Sequence, residues 1–306
     1  MAAITAKMVK DLRELTNAGM MDCKKALTEA DGDMDAAVEI LRKSGLAMAA
    51  KKAGRIAAEG LVAFKVSEDG KKGAIVEVNS ETDFVAKNEM FQTYVANVAA
   101  QALGSSASDM EAFKAEAWIE DASKTVQDAL VEKVAVIHEN LQIRRFAKIE
   151  TEGFVGSYSH GGGRIGVLVE LTCEQINDAV KEAGKNVAMQ IAALNPQFVN
   201  RDAIPADFLN KEREILLEQA SKENKPQNII EKMVEGRLTK EMKEICLMDQ
   251  VYFKNDELTV AKYLKEVSKE AGFTVDVKSY IRYETGEGIE KKEENFAEEV
   301  AKQMGQ

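Results

Sequence analysis

The sequence predicts an α+β protein whose core, an antiparallel β-hairpin followed by a helix, occurs twice. Three observations predict it. Gly60-Leu-Val and Gly153-Phe-Val each open an apolar run with strand character. Gly73-Ala-Ile-Val-Glu-Val and Gly166-Val-Leu-Val-Glu-Leu follow in the same order, both pairs at one offset of 93 residues. An Ala-rich helical stretch then follows in each, ending in Leu103 and Leu194. A single Gly-apolar-Val match arises by chance. Aligned blocks in one order point to duplication.

The segments on either side are read from period and caps. Ile4, Met8, Leu12 and Leu15 recur at helical spacing until Asn17 and Gly19 interrupt them. Asp22 is the expected cap of a second helix with Ala26, Leu27 and Ala30, which Asp31-Gly32 ends. A third helix carries Ala37, Val38, Ile40 and Leu41 and is expected to stop at Ser44-Gly45. Ala47 to Glu59 is expected to form a helical linker. Residues 1–55 thus read as one three-helix module with its linker, and 56–150 as the first core copy. The second copy, 151–203 and 246–286, is split by residues 204–245. In that insertion Phe208, Leu209, Ile215 and Leu216, then Ile229, Ile230, Met233 and Val234, mark two charged helices, with Pro226 starting the second. The expectation is an antiparallel coiled-coil hairpin. Thr259 to Ala271 reads as helix, and Phe273 to Tyr283 as a strand that rejoins the second sheet. Residues 287–306 read as a charged C-terminal helix, with Ile289, Phe296 and Val300 on one side.

Composition narrows the function classes. At 306 residues the chain is long for one compact core, and 45% hydrophobic with 30% charged residues is an ordinary globular balance. Lys plus Arg is 41 against 52 for Asp plus Glu, a net charge of −11, which argues against a broad nucleic-acid footprint. The same balance fits a protein that works on another protein, as it fits many enzymes. Cys23, Cys173 and Cys246 form no CxxC pair and no disulfide framework, so a reducing compartment is expected. The first residues lack the apolar core of a signal peptide, and no apolar run is long enough for a bilayer. A cytoplasmic protein without membrane contact is expected.

Enzymatic constellations are missing from the sequence. His138 and His160 have no Cys or His neighbour at ligand spacing. Asp31, Asp33 and Asp35 imitate a calcium loop, but Ala36 and Arg42 stand where its glycine and bidentate glutamate belong. They are expected to cap helices. Gly161-Gly-Gly-Arg-Ile-Gly166 satisfies GxGxxG, yet a strand rather than a helix follows, which makes it a hairpin turn. No GxxxxGK[ST] occurs, so no P-loop is present. The chain is expected to be no enzyme, with no metal and no cofactor.

If two copies share a scaffold, function belongs where one departs from the other. Asp83, Phe84 and Val85 align with Ile176, Asn177 and Asp178, which share nothing with them. The segment leaves a strand for a helix, with Thr82 or Asp83 as natural N-cap and Phe84 on the first turn. Two readings stand: a hydrophobic staple packed back on its own helix, which the pattern favours, and a wedge aimed at a partner. Met20-Met21 reads as a turn closing a helical core or as an adaptable interface. Lys52 reads as a solvated helix position and His160 as a hairpin tip.

At these residues the chain resembles the elongation factor Ts family. Leu12-Arg-Glu-Leu-Thr-Asn-Ala-Gly-Met-Met-Asp-Cys-Lys-Lys-Ala-Leu27 is similar to its N-terminal signature, and Glu81-Thr-Asp-Phe-Val-Ala-Lys87 to its second. Ser157 to Val169 and Gly286-Glu-Gly-Ile-Glu290 extend the likeness over nearly the whole chain. The resemblance implies an N-terminal ubiquitin-associated-like domain, a duplicated core, a coiled-coil protrusion and a C-terminal module. It implies a guanine-nucleotide exchange factor for the GTPase elongation factor Tu, in which Thr82, Asp83, Phe84 and Val85 carry Mg²⁺ dislocation. Arg13, Met20, Met21 and Lys24 would form the N-terminal contact surface, with Lys52 and His160 as further partner contacts. The coiled coil leaves a homodimer or a 2:2 complex open. A scaffold that binds without exchanging nucleotide is the alternative function.

Overall fold

The structure, a computed structural model, describes residues 4–16, 18–223 and 225–290. Three helices come first: α1 (Ala6–Thr16), α2 (Met20–Glu29) and α3 (Met34–Lys52). Val9, Leu12, Cys23, Ala26, Leu27 and Ala37 form their shared core, so helical spacing selected the right faces. Leu15 is the exception and points to solvent. The cap of α2 is Gly19, not Asp22, which sits in the first turn where its charge complements the helix dipole. Asp33 does cap α3, accepting from the Ala36 N–H at 2.9 Å.

The first core copy holds β1 (Glu59–Val66), β2 (Lys72–Ser80), α4 (Asp83–Ala86), α5 (Glu89–Gly104), α6 (Met110–Ala115), β3 (Ala117–Trp118), β4 (Asp121–Thr125), α7 (Val126–Ile137) and β5 (Gln142–Glu150). Its sheet has the order β1-β2-β5. The central strand β2 is buried from Gly73 onward, which is why it reads as a continuous apolar run rather than an alternating one. Helix α5 buries Phe91, Tyr94, Val95, Val98, Ala99 and Ala102, one stripe at helical spacing. Here the expected stop of α3 at Ser44-Gly45 fails. Gly45 is buried, and a Cβ there would lie 3.4 Å from the Ala135 Cβ of α7. The glycine permits close helix packing, and α3 runs on to Lys52 through part of the expected linker.

The second copy holds β6 (Phe154–His160), β7 (Ile165–Thr172), α8 (Asp178–Leu194), α9 (Ala206–Ser221), α10 (Gln227–Ile245), β8 (Val251–Tyr252), β9 (Asn255–Thr259), α11 (Val260–Ala271) and β10 (Asp276–Glu284). Strands β6 and β7 pair antiparallel from Phe154↔Leu171 to His160↔Ile165, and β10 rejoins the sheet beside β7. Gly161, Gly162 and Gly163, all at positive φ, make the turn between them, and β7 follows. The architecture is α+β with antiparallel sheets. Between α8 and β8, helices α9 and α10 pack through Leu216, Ala220, Ile230, Val234, Leu238 and Met242. Arg213–Glu235 at 2.9 Å links the two, and Arg237–Glu223 at 2.6 Å ties α10 to the connection after α9. Pro226 occupies the N-cap of α10 rather than its first helical position.

The duplication runs deeper than the sequence repeat, and at shifting offsets. The helix caps Asn88 and Asn177 lie 89 residues apart, not 93, and the caps Thr125 and Thr259 lie 134 apart. Gly60 and Gly153 keep the strand offset for a steric reason: a Cβ on either would overlap a carbonyl oxygen, of Val78 and Leu171 respectively. Glu77 and Glu170 are buried in the central strands. Glu77 accepts from Arg144 Nη1 at 3.0 Å, Arg145 Nε at 2.6 Å and the Gly286 N–H at 2.8 Å. Glu170 accepts from Lys278 Nζ at 2.9 Å and Ser279 Oγ at 2.7 Å. Burial alone would raise both carboxyls, but these donors outweigh it and hold both below the usual carboxylate range.

By compactness the chain forms two units, one of residues up to Ala63, Val76–Phe146 and the segment from Glu284, the other of Phe64–Ile75 and Ala147–Tyr283. Among the described residues no helix is long and apolar enough to cross a membrane. The C-terminal helix expected over residues 287–306 lies, beyond residue 290, outside the described residues.

Candidate functional site

The chain leaves β2 at Ser80 and turns at Glu81-Thr82 into α4, a helix of 4 residues that buries none of them. A single turn is unstable alone, because helix nucleation fixes several residues for one hydrogen bond. Its form therefore depends on its ends. Thr82, in extended conformation, is the N-cap and accepts from the Val85 N–H. Lys87 bonds back to Asp83 at 2.6 Å and lies 5.9 Å from the Phe84 ring centre. The Lys87 ammonium holds the Asp83 carboxyl below its ordinary range. At the far end, Gln92 Nε2 donates to the Ala86 carbonyl at 3.2 Å, and Asn88 caps α5.

Phe84 is 79% exposed, above every other exposed large hydrophobic among the described residues. The staple reading therefore fails, and its reason is local. A staple pairs the residue before the N-cap with the fourth helical residue, here Glu81 and Ala86, and Phe84 holds neither place.

A second group lies where α1 gives way to α2. Arg13 and Lys24 are exposed. Leu15, Met20 and Met21 are 66%, 58% and 63% exposed, so the methionines do not close the helical core. Lys52 is half-buried, and its Nζ donates to the His138 carbonyl at 2.6 Å. His160, at the end of β6, is exposed with Nδ1 at 3.1 Å from the Tyr158 hydroxyl, and belongs to the other compact unit. Thus Thr82 to Val85 form one corner and Arg13 to Lys24 an exposed surface of the first three helices, while Lys52 closes on the His138 carbonyl and His160 belongs to the other unit. Among the described residues, no group of three His, Cys, Asp or Glu side chains is placed to hold a metal ion.

Comparison with known proteins bears on this geometry. The family model described as Elongation factor TS matches residues 81–287, starting at the corner itself. Relatives described as elongation factor Ts match along almost their whole length. The Clostridium botulinum protein is 55% identical over 304 residues, covering 99% of each chain. The Clostridioides difficile protein is 54% identical over 304 residues, covering 99% of this chain and 100% of its own. The chain belongs to the elongation factor Ts family. Membership assigns it a nucleotide-exchange role in translation elongation rather than catalysis of a chemical reaction.

For a member of the elongation factor Ts family, the informative residues missed in the sequence are those behind the corner. Glu139 Oε2 accepts the N–H groups of Glu81 and Thr82, both at 3.0 Å, and Oε1 accepts the Thr82 hydroxyl at 2.6 Å. In return the Glu81 carboxylate accepts the Asn140 N–H at 2.6 Å and lies 3.5 Å from Arg55 Nη1. Asn140 Nδ2 donates to the Arg55 carbonyl at 2.7 Å. Glu139 and Asn140 stand more than fifty residues from Glu81 and Thr82, and neither periodicity nor capping joins them.

Proposed function

We propose that the chain binds elongation factor Tu·GDP, dislocates its Mg²⁺ and speeds GDP release so that GTP can bind. The observation that carries the reading is the exposed Phe84 on a one-turn helix anchored at both ends. Thr82 and Val85 shape that turn, and Asp83 brings a carboxylate beside the ring, toward the partner's metal–phosphate clamp. The exposed Arg13, Met20, Met21 and Lys24 form a docking surface in this reading, with Lys52 and His160 as further contacts. The α9–α10 hairpin adds a protrusion for the partner or for a homodimer or 2:2 complex. The setting is the cytoplasm, where elongation takes place.

The energetics are those of linkage. A factor that binds the nucleotide-free GTPase better than the loaded one weakens nucleotide binding by the same ratio. Burying one Phe contributes about 1.5–3 kcal/mol, which is roughly ten- to a hundredfold in affinity. A larger effect needs coupled loss of the Mg²⁺ that clamps the phosphates, supported by a wide interface. The test is release of labelled GDP from purified elongation factor Tu. Phe84→Ala is expected to keep partner binding and lose most of the acceleration. Release at the unaltered rate removes the reading.

A second reading, docking without exchange, is favoured by the exposed Leu15, Met20 and Met21. It requires binding that is indifferent to Mg·GDP. Co-purification with and without excess Mg·GDP separates the two.

A further inference from the structure

The geometry points to Glu139 as the residue that positions the Phe84 turn, an inference that rests on the exchange reading above. Three observations converge on it. First, helix α4 has no buried residue, so packing does not set its direction. Its direction is set by the corner before it. Both backbone N–H groups of that corner, and the cap hydroxyl, converge on one carboxylate. Charge-assisted bonds of this kind are about twice as strong as neutral ones.

Second, the bonds form a chain. The Val85 N–H donates to the Thr82 hydroxyl oxygen, and that hydroxyl donates to Glu139 Oε1. The cap contact is long, at 3.5 Å, while the hydroxyl–carboxylate contact is short, at 2.6 Å. Glu139 thereby fixes the rotor of the cap and, through it, the first turn that carries Phe84.

Third, the duplication supplies an internal control. Glu139 follows the left-handed cap His138 of α7, as Phe273 follows the left-handed cap Gly272 of α11, 134 residues on. The copy with the extra turn has the carboxylate, and the copy without the turn has an aromatic ring. A group needed only to close the strand–helix connection would be needed in both. Glu139 does not touch the partner's nucleotide in this proposal. It is a positioning residue for the side chain that does.

The experiment titrates four full-length proteins, Glu139→Ala, Glu139→Gln, Phe84→Ala and the double variant Glu139→Ala/Phe84→Ala, against elongation factor Tu loaded with labelled GDP. Maximal release rate and half-saturating concentration are fitted separately, and amide hydrogen exchange is followed at Glu81, Thr82 and Val85. Glu139→Ala is expected to lower the maximal rate roughly tenfold while half-saturation moves less than about twofold, as fits losing a hydrogen-bonded charge behind the site. The Glu81 and Thr82 amides exchange faster. Glu139→Gln keeps one acceptor oxygen and the same volume, so it folds as the parent does and recovers part of the rate. In the Phe84→Ala background, Glu139→Ala has no further effect.

An unaltered maximal rate in Glu139→Ala, beside a loss in Phe84→Ala, overturns this inference and leaves the exchange reading standing. An equal drop with and without the ring also overturns it, since it reports a purely structural role. No loss in Phe84→Ala removes the exchange reading and this inference together.

Discussion

The two core copies share one plan and differ in one place each. Matching caps, Asn88 with Asn177 and Thr125 with Thr259, start matching helices. Gln101 Nε2 reaches Glu116 at 3.1 Å in the first copy, and Gln190 Nε2 reaches Gln250 at 3.2 Å in the second. The first copy departs between β2 and α5, where residues 81–88 add the turn α4, against 173–177 in the second. The second departs between α8 and β8, where α9 and α10 stand in place of the short α6. What repeats is scaffold. What fails to repeat is an exposed aromatic in the first copy and a pair of packed helices in the second, and in the proposed function those are the parts that meet a partner.

The shared plan is broken most severely at its buried charges. The Glu77 side chain has no exposure, and Arg144 and Arg145 lie mostly covered around it. Glu77→Ala is expected to cost about 3–5 kcal/mol in denaturant unfolding, the cost of removing the buried partner of the mostly covered Arg144 and Arg145. Glu170→Ala is expected to cost less, about 1–3 kcal/mol, because Lys278 is 62% exposed and regains water. Equal losses would show that the two sites are not the same device in different settings. Both carboxyls lie below their ordinary value of 4.5 when folded, so their stabilisation is complete above that pH. It is lost as pH falls through the lowered folded values. Unfolding followed from pH 6 downward is expected to steepen below pH 4.5, and less so in Glu77→Gln.

The difference between the copies is tested by erasing it. Replacing residues 81–88 with the sequence of Cys173–Asn177 keeps an Asn to cap α5 and deletes α4. Since α4 buries nothing, the stability cost comes from the lost Glu81 and Thr82 bonds to Glu139 and Asn140, and thermal unfolding is expected to shift by about 1–3 kcal/mol. Acceleration of GDP release is expected to fall about a hundredfold, the upper bound for one buried Phe. Full activity in the graft would move function away from the asymmetric corner. Phe84→Ala alone is the milder form of the same break, and is expected to fall between roughly ten- and a hundredfold.

How much of this the sequence carried depends on where its signals are local. Strand pairs announced themselves because Gly60 and Gly153 face carbonyl oxygens, which only glycine tolerates, ahead of buried Val and Leu runs. The asymmetric corner was legible for the same reason: the two copies can be laid side by side. The rest of the duplication was hidden because the α4 turn moves the offset from 93 to 89 residues and the α9–α10 insertion then moves it to 134, beyond a single-register match. Gly45 misled because a glycine needed for helix packing looks, in sequence, like a helix stop. Asp22 misled because a first-turn acid and an N-cap acid differ by a few positions. Glu139 was invisible in principle. Its partners lie 57 and 58 residues away, and such long-range polar contacts leave no period to read.

The smallest expected effect concerns Lys52, which has two incompatible roles. As a partner contact, its removal raises the half-saturating concentration for exchange. As an internal tie, it holds the His138 carbonyl at the C-terminus of α7, the residue next to Glu139. An ammonium there complements the helix dipole and satisfies a terminal carbonyl, worth about 0.5–1 kcal/mol at a half-buried position. Lys52→Met keeps the aliphatic stem and removes only the charge. The tie predicts a slightly lower unfolding midpoint and faster amide exchange at Glu139 and Asn140, with half-saturation unmoved. A shift in half-saturation with those amides unchanged would instead place Lys52 on the partner's surface, and would mean that the 2.6 Å bond breaks when the complex forms.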